Sequence, residues 1–289
     1  MTPLKKTLFA ILVLFAAIGA AFTAVFFGMR LGLFNVRGTA RERNSFFLNS
    51  ANAIGAIDQR AQAVEHRTPC TDGSQTCEWN TTSEWLTVQG GLEKDAEVIR
   101  RVSAETGVPA RMLAAVVVPE QSRFFSANRE VFKRYFEPLK ILGAMSQFSL
   151  GVSGIKIDTA QDIERHAADP LSPFYPGPGM TELFAYGPET DHDTELFERL
   201  TEPKDHYYQY LYTALYVREI EAQWLRAGFD ISGRPDIIVT LFNLGFVKSR
   251  PHEMPEAGGA PLSIGGRTYS YGELGGLFYA SDELRALFP

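Results

Sequence analysis

Residues Thr7–Met29 (TLFAILVLFAAIGAAFTAVFFGM) form an uncharged run of 23 residues near the start of a 289-residue chain. As a helix rising about 1.5 Å per residue, this run would reach roughly 35 Å, enough to cross a bilayer. The chain therefore divides into a membrane segment, residues 1–34, and a body beyond it. Lys5 and Lys6 precede the run and favour a cytoplasmic N-terminus, a bias that Arg30, Arg37, Arg41 and Arg43 weaken. An uncleaved anchor is expected, because the apolar run continues past the small residues Gly19-Ala20-Ala21. A signal peptide cleaved there is the alternative. Either way, residues 35–289 are expected to be exported.

The body has the composition of a packed protein. With 45% hydrophobic, 12% aromatic and 21% charged residues, the chain is neither a disordered tail nor a fibre. Residues 1–34 hold Lys5, Lys6 and Arg30 and no acid, so the body carries 25 of the 28 basic residues against all 34 acids. That balance argues against a nucleic-acid partner. Cys70 and Cys77 lie in CTDGSQTC, and in an oxidising compartment a disulfide closing this small loop is expected. Two unpaired thiols are the alternative; with only His66 nearby, a structural zinc site is not expected. Asn80-Thr81-Thr82 matches the N-glycosylation tripeptide.

Periodicity makes the body mainly α. Residues 44–66 read as an amphipathic stalk helix with Phe47, Ala51, Ile54 and Ile57 on one side, followed by an irregular connector over 67–84. Helices are expected at 92–105, 110–122, 129–146, 159–167, 193–200, 204–227, 235–243 and 281–287. In the long one, Tyr210, Ala214, Val217, Ile220 and Trp224 make one buried stripe. Four prolines and two glycines in 169–180 imply a fixed surface loop. Residues 258–272 alternate polarity around Gly265-Gly266 and predict a small β-hairpin. The resulting domains are 1–34 as anchor, 35–90 as juxtamembrane helix and connector, and 91–289 as the main helical domain.

Few residues carry chemistry. The chain lacks HExxH, GxSxG and a phosphate-binding glycine loop, and no cofactor or metal is expected. The glycines of YGELGG are not expected to follow a strand and open a helix, which excludes a dinucleotide fingerprint. His192-Asp193 and His252-Glu253 read as solvated surface dyads. One carboxylate is unusual: the apolar stretch Met112–Val118 leads directly to Glu120. A carboxylate delivered by a buried helix is partly desolvated, which suits a general acid. A solvated residue just past the helix end is the alternative.

Three motifs in order give this position a context. They are Gly107-Val108-Pro109 through Leu113-Ala114-Ala115 to Glu120-Gln121-Ser122, the stretch Ser149–Ala160 (SLGVSGIKIDTA), and Thr240–Gly245 (TLFNLG) after the long helix. Over about residues 92–250 the chain resembles the lysozyme-like superfamily, in particular lytic transglycosylases and goose-type lysozymes. The resemblance implies a lysozyme-like helical domain that cleaves the glycan strands of bacterial peptidoglycan, with Glu120 as single acid/base. It implies Ser122, Ser149, Ser153, Gly154 and Asn243 as substrate-binding residues. The protein would then be a single-pass protein of the bacterial inner membrane, its main domain in the periplasm or exterior. The alternative is a non-catalytic peptidoglycan binder that tethers an envelope complex to the wall.

The chain departs from the family pattern at Pro119, expected to kink or end the helix, and at Gln121, which separates Glu120 from Ser122. Lys156 stands near where a glutamine is expected, and Phe242 where a tyrosine often precedes the asparagine. Asp158 is the first choice for a second carboxylate in a hydrolytic mechanism, ahead of Glu130 and Glu137, with a helix N-cap as its structural alternative. Tyr269 and Tyr271, in the hairpin, are the aromatic candidates for stacking on a sugar ring.

Overall fold

A computed structural model of the protein describes residues 78–125 and 151–289. The Thr7–Met29 run, the 44–66 and 129–146 helices, Cys70, Cys77, Glu130, Glu137 and Ser149 lie outside the described residues. Among the described residues no helix is long and apolar enough to cross a membrane.

The described body is mainly helical, with eight α-helices and one two-stranded antiparallel hairpin. α1 (Ser83–Lys94) and α2 (Ala96–Thr106) meet at a corner on Asp95. They replace the single 92–105 helix of the sequence analysis, and the expected boundary at 90/91 falls inside α1. Thr82 caps α1 through its hydroxyl, which accepts from Trp85 N at 3.2 Å. The Asp95 carboxylate accepts from His206 Nδ1 at 2.7 Å and from the Tyr210 hydroxyl at 3.0 Å, fixing the corner against a later helix. Gly107, at φ +75, then ends α2.

α3 (Ala110–Phe125) runs through Pro119 rather than stopping there. Proline has no N–H to offer the carbonyl four residues back, which is that of Ala115. That carbonyl faces Gly275 of a neighbouring helix, where a β-carbon would sit 3.0 Å from it. Packing on this open rung, with Val116, Val117 and Val118 all buried, holds the helix together past its proline.

α4 (Ile157–Ala168), α5 (His192–Thr201) and α6 (Tyr207–Arg226) follow, with a 3-10 turn at Met180–Phe184. The expected stripe of α6 is buried, and so are Leu211, Tyr212, Leu215 and Tyr216 between its members. α6 is thus enclosed nearly all round, touching α2, α3, α4, α5 and α7. The proline-rich loop lies on it: Arg218 Nε donates to Pro176 O at 2.6 Å, and Arg226 Nη1 to Pro173 O at 2.6 Å.

α7 (Pro235–Leu244) starts with proline in its first turn and ends at Gly245. The hairpin pairs β1 (Pro261–Ile264) with β2 (Arg267–Ser270) through Gly265 and Gly266, both at positive φ as a two-residue turn requires. α8 (Tyr271–Ala280) follows immediately, opened by a capping box between Ser270 and Glu273. YGELGG therefore does follow a strand and open a helix, contrary to expectation. Its glycines serve packing: a β-carbon at Gly275 would lie 2.7 Å from Val239 Cγ2, and one at Gly276 3.0 Å from Asp236 Cβ. No α-helix forms at 281–287, where Leu284 adopts φ +53 and the chain makes turns.

Arg111 closes the molecule. Its buried guanidinium donates to the carbonyls of Phe278, Tyr279, Ser281, Glu283 and Phe288, capping α8 and holding the C-terminal tail. Trp79 and Trp85 pack on Phe278 of the same helix, so the folded body extends back at least to Trp79. The Asn80 amide donates to Glu283 at 3.1 Å.

Candidate functional site

Glu120 lies near the end of α3, only 5% exposed, at the floor of a cleft of about 190 Å³. Its Oε2 accepts from the Tyr271 hydroxyl at 2.7 Å. Its Oε1 accepts from Arg123, one turn further along α3. The Arg123 guanidinium also lies 5.6 Å from the centre of the Tyr271 ring. Gly154, at φ +68, comes so close that a β-carbon would collide with the same Oε1.

The turn carrying Gly154 is fixed from both sides. Gln121 of α3 donates its amide to Val152 O. Gln209 of α6 accepts from Val152 N at 2.9 Å, and its own amide donates to Glu202 O at 2.7 Å. Ser153 and Thr213 hydroxyls meet at 2.5 Å inside the body. The two glutamines are the structural reason that the backbone of 151–154 lies against the carboxylate.

The opposite wall comes from the end of α7. Phe242 packs edge-on against Tyr216 at 5.0 Å, Asn243 lines the cleft, and Leu244 stands 66% exposed at its edge. Asn243 Oδ1 accepts from Ala260 N at 2.8 Å, tying the wall to the segment before the hairpin. Burial pushes the Tyr216 phenol well above its ordinary range, so it stays a neutral hydroxyl at physiological pH. Ile155, Lys156 and Thr159, around the start of α4, complete the rim.

Of the residues expected from sequence, Glu120, Ser153, Gly154 and Asn243 are brought together around this cleft. Ser122 is buried and does not line it. Tyr269 is 1% exposed and pairs with Leu262 across the hairpin, a core residue rather than a cleft platform. Tyr271 is buried too, its hydroxyl spent on Glu120 rather than exposed for stacking. Asp158 is exposed in the first turn of α4, outside the cleft lining; Lys156, not Asp158, occupies the N-cap position. Glu120 is accordingly the sole carboxylate among the described residues that line the cleft.

Arg123, Lys156 and Tyr216 were not among the expected residues. The Glu-x-x-Arg spacing at 120–123 was a readable signal for the first. Tyr216 was hidden in the tyrosine-rich face of α6. Among the described residues no three His, Cys, Asp or Glu side chains stand close enough to hold a metal ion. The His192 dyad is more than a surface pair: its Nε2 bonds Glu164 Oε2 at 2.6 Å, and Glu164 also accepts from Tyr186 and Tyr212.

No protein-family model matches the chain, and neither a curated protein nor a solved structure matches it at a significant level. Among the described residues, the cleft lining offers one buried carboxylate, backbone and amide groups for hydrogen bonding, and two cations.

Proposed function

We propose that this protein cleaves the glycan strands of bacterial peptidoglycan as a lytic transglycosylase-like enzyme built on a lysozyme-like domain. Glu120 is its single general acid/base. The observation that carries the proposal is the placement of Glu120: a buried carboxylate at the floor of a cleft, with no second acid among the described lining residues. Ordinary glycosidases need two carboxylates, one to protonate the leaving oxygen and one to act as nucleophile or to activate water. A transglycosylase needs one. Glu120 gives its proton to the glycosidic oxygen as the bond to C1 breaks. The same carboxylate then takes the proton of the sugar's own 6-hydroxyl as that oxygen bonds C1, leaving Glu120 protonated and an anhydro end on the product.

Tyr271 orients the carboxylate through Oε2 and Arg123 through Oε1, while Ser153, Gly154 and Asn243 present polar groups to a sugar chain. The Thr7–Met29 run anchors the protein in the inner membrane, with the body in the periplasm or exterior. The ion pair to Arg123 favours a second reading, in which an occupied carboxylate leaves only a wall-binding cleft that tethers an envelope assembly.

Digestion of purified sacculi by the full-length protein separates these. Wild-type protein should release anhydro-muropeptides, and Glu120→Gln should lower their release at least about 100-fold, the usual scale of a lost general acid. Reducing ends instead would indicate a hydrolase. Binding of sacculi by both proteins without cleavage by either would leave the tether.

A further inference from the structure

We infer that the cleft recognises a carboxylate carried by its glycan, and that Lys156 is the residue that reads it. This rests on the saccharide reading above and adds the class of glycan that fits. Lys156 is exposed and lines the same cleft as Glu120, Arg123 and Gly154. Its backbone is held by the start of α4, where its carbonyl accepts from Ala160 N at 3.0 Å. Its ammonium has no hydrogen-bond or ion-pair partner among the described residues. Glu120, by contrast, is already matched by Arg123.

Among the described lining residues the cleft therefore carries one positive charge beyond the Glu120–Arg123 pair, in a body whose acids outnumber its bases by 34 to 25. Hydroxyls and N-acetyl groups of a neutral sugar are served by the backbone and amides of the walls and gain little from an ammonium. A strongly hydrated point charge on a flexible stem is best matched by an oxyanion, with which its hydrogen bonds are charge-assisted. Wall glycan offers carboxylates from two sources close to the linkage: the lactyl group of muramic acid once its peptide is removed, and the peptide stem itself. The shared chemistry is a carboxylate within reach of the scissile linkage, held by Lys156 while Glu120 reaches the glycosidic oxygen.

Fluorescein-labelled glycan strands test this on the full-length protein, with anisotropy read at 4 °C before turnover. Four probes are needed: stripped strands with free lactyl carboxylates, stem-bearing strands, and each of these with its carboxylates converted to methylamides. Wild-type protein should bind at least one carboxylated form about 10-fold more tightly than its methylamide, the scale of one hydrogen bond to a charged group. The form that shows the difference identifies the source. Lys156→Gln should bring the ratio to about 1, and Lys156→Arg should retain it. Equal binding of carboxylated and amidated strands by the wild type, or an undiminished ratio in Lys156→Gln, would overturn the inference while leaving the saccharide reading intact. Failure to bind any strand would overturn both.

Discussion

Glu120 and Arg111 show how single side chains decide this molecule. Gly154 lies against the Glu120 carboxylate at φ +68, so Gly154→Ala faces both a strained backbone and a collision with Oε1. It should cost about 2 kcal/mol of stability in urea unfolding and displace the carboxylate enough to depress sacculus cleavage more than the stability loss explains. Arg111 is 2% exposed and donates to five carbonyls, with no carboxylate among them. Burial pushes its guanidinium below the ordinary arginine range, yet it stays charged at any physiological pH. Arg111→Met would orphan the end of α8 and the tail together, and should lower stability by about 3 kcal/mol, seen as a fall in the urea midpoint. Glu120 was legible in the sequence because an apolar helix ran straight into it. Tyr269 and Tyr271 were not separable there, since equal parity puts both on one face only if the strand continues. It stops at Ser270, so Tyr269 points into the hairpin core and Tyr271 begins a helix that reaches Glu120.

At the scale of elements, glycine content makes a matched comparison. Gly90 in α1 and Gly275 in α8 are both helical, where alanine is favoured by about 1 kcal/mol. A β-carbon at Gly90 meets nothing within 4 Å, whereas one at Gly275 lies 2.7 Å from Val239 and 3.0 Å from the Ala115 carbonyl. Gly90→Ala should therefore raise the unfolding free energy from urea titration by about 0.5–1 kcal/mol, and Gly275→Ala should lower it by about 1–3 kcal/mol through overpacking. The same crowding explains why α8 was missed: its glycines and aromatics read as a continuation of the hairpin, and only the Ser270-x-x-Glu273 spacing marked the helix start. The long α6 was legible because its apolar residues recur at helical spacing.

The junction of α4 with α5 carries a pH signature. Burial alone would lower the His192 pKa, but its hydrogen bonds to Glu164 and Asp193 outweigh this and raise it. A histidine whose folded value exceeds its unfolded one stabilises fully below the unfolded value, about 6.5, and loses that contribution as pH rises through the folded value. His192 is 45% exposed, so solvent screening keeps the effect small. Wild-type protein should exceed His192→Gln in stability at pH 5.5 by more than at pH 8.5. An equal difference at the two pH values would mean that the histidine charge does not contribute.

Over the whole molecule, charge and site pull in opposite directions. Acids outnumber bases in the body, yet the described lining of the cleft holds two cations and one carboxylate. Long-range repulsion from an anionic wall polymer acts at distances where salt screens it, with a Debye length of about 30 Å at 0.01 M falling to about 8 Å at 0.15 M. Contact between Lys156 and a carboxylate is shorter-ranged and less screened. Raising salt from 10 to 150 mM should therefore strengthen binding of full-length protein to intact sacculi about two- to threefold, measured by co-sedimentation, while binding to neutral N-acetylglucosamine oligomers stays unchanged. Weaker sacculus binding at the higher salt would mean that local attraction at the cleft outweighs the charge of the body. Strengthened binding would give the proposed membrane anchor a physical role: an anchor at Thr7–Met29 would hold an acidic body close to a polymer that its surface charge alone would keep at a distance.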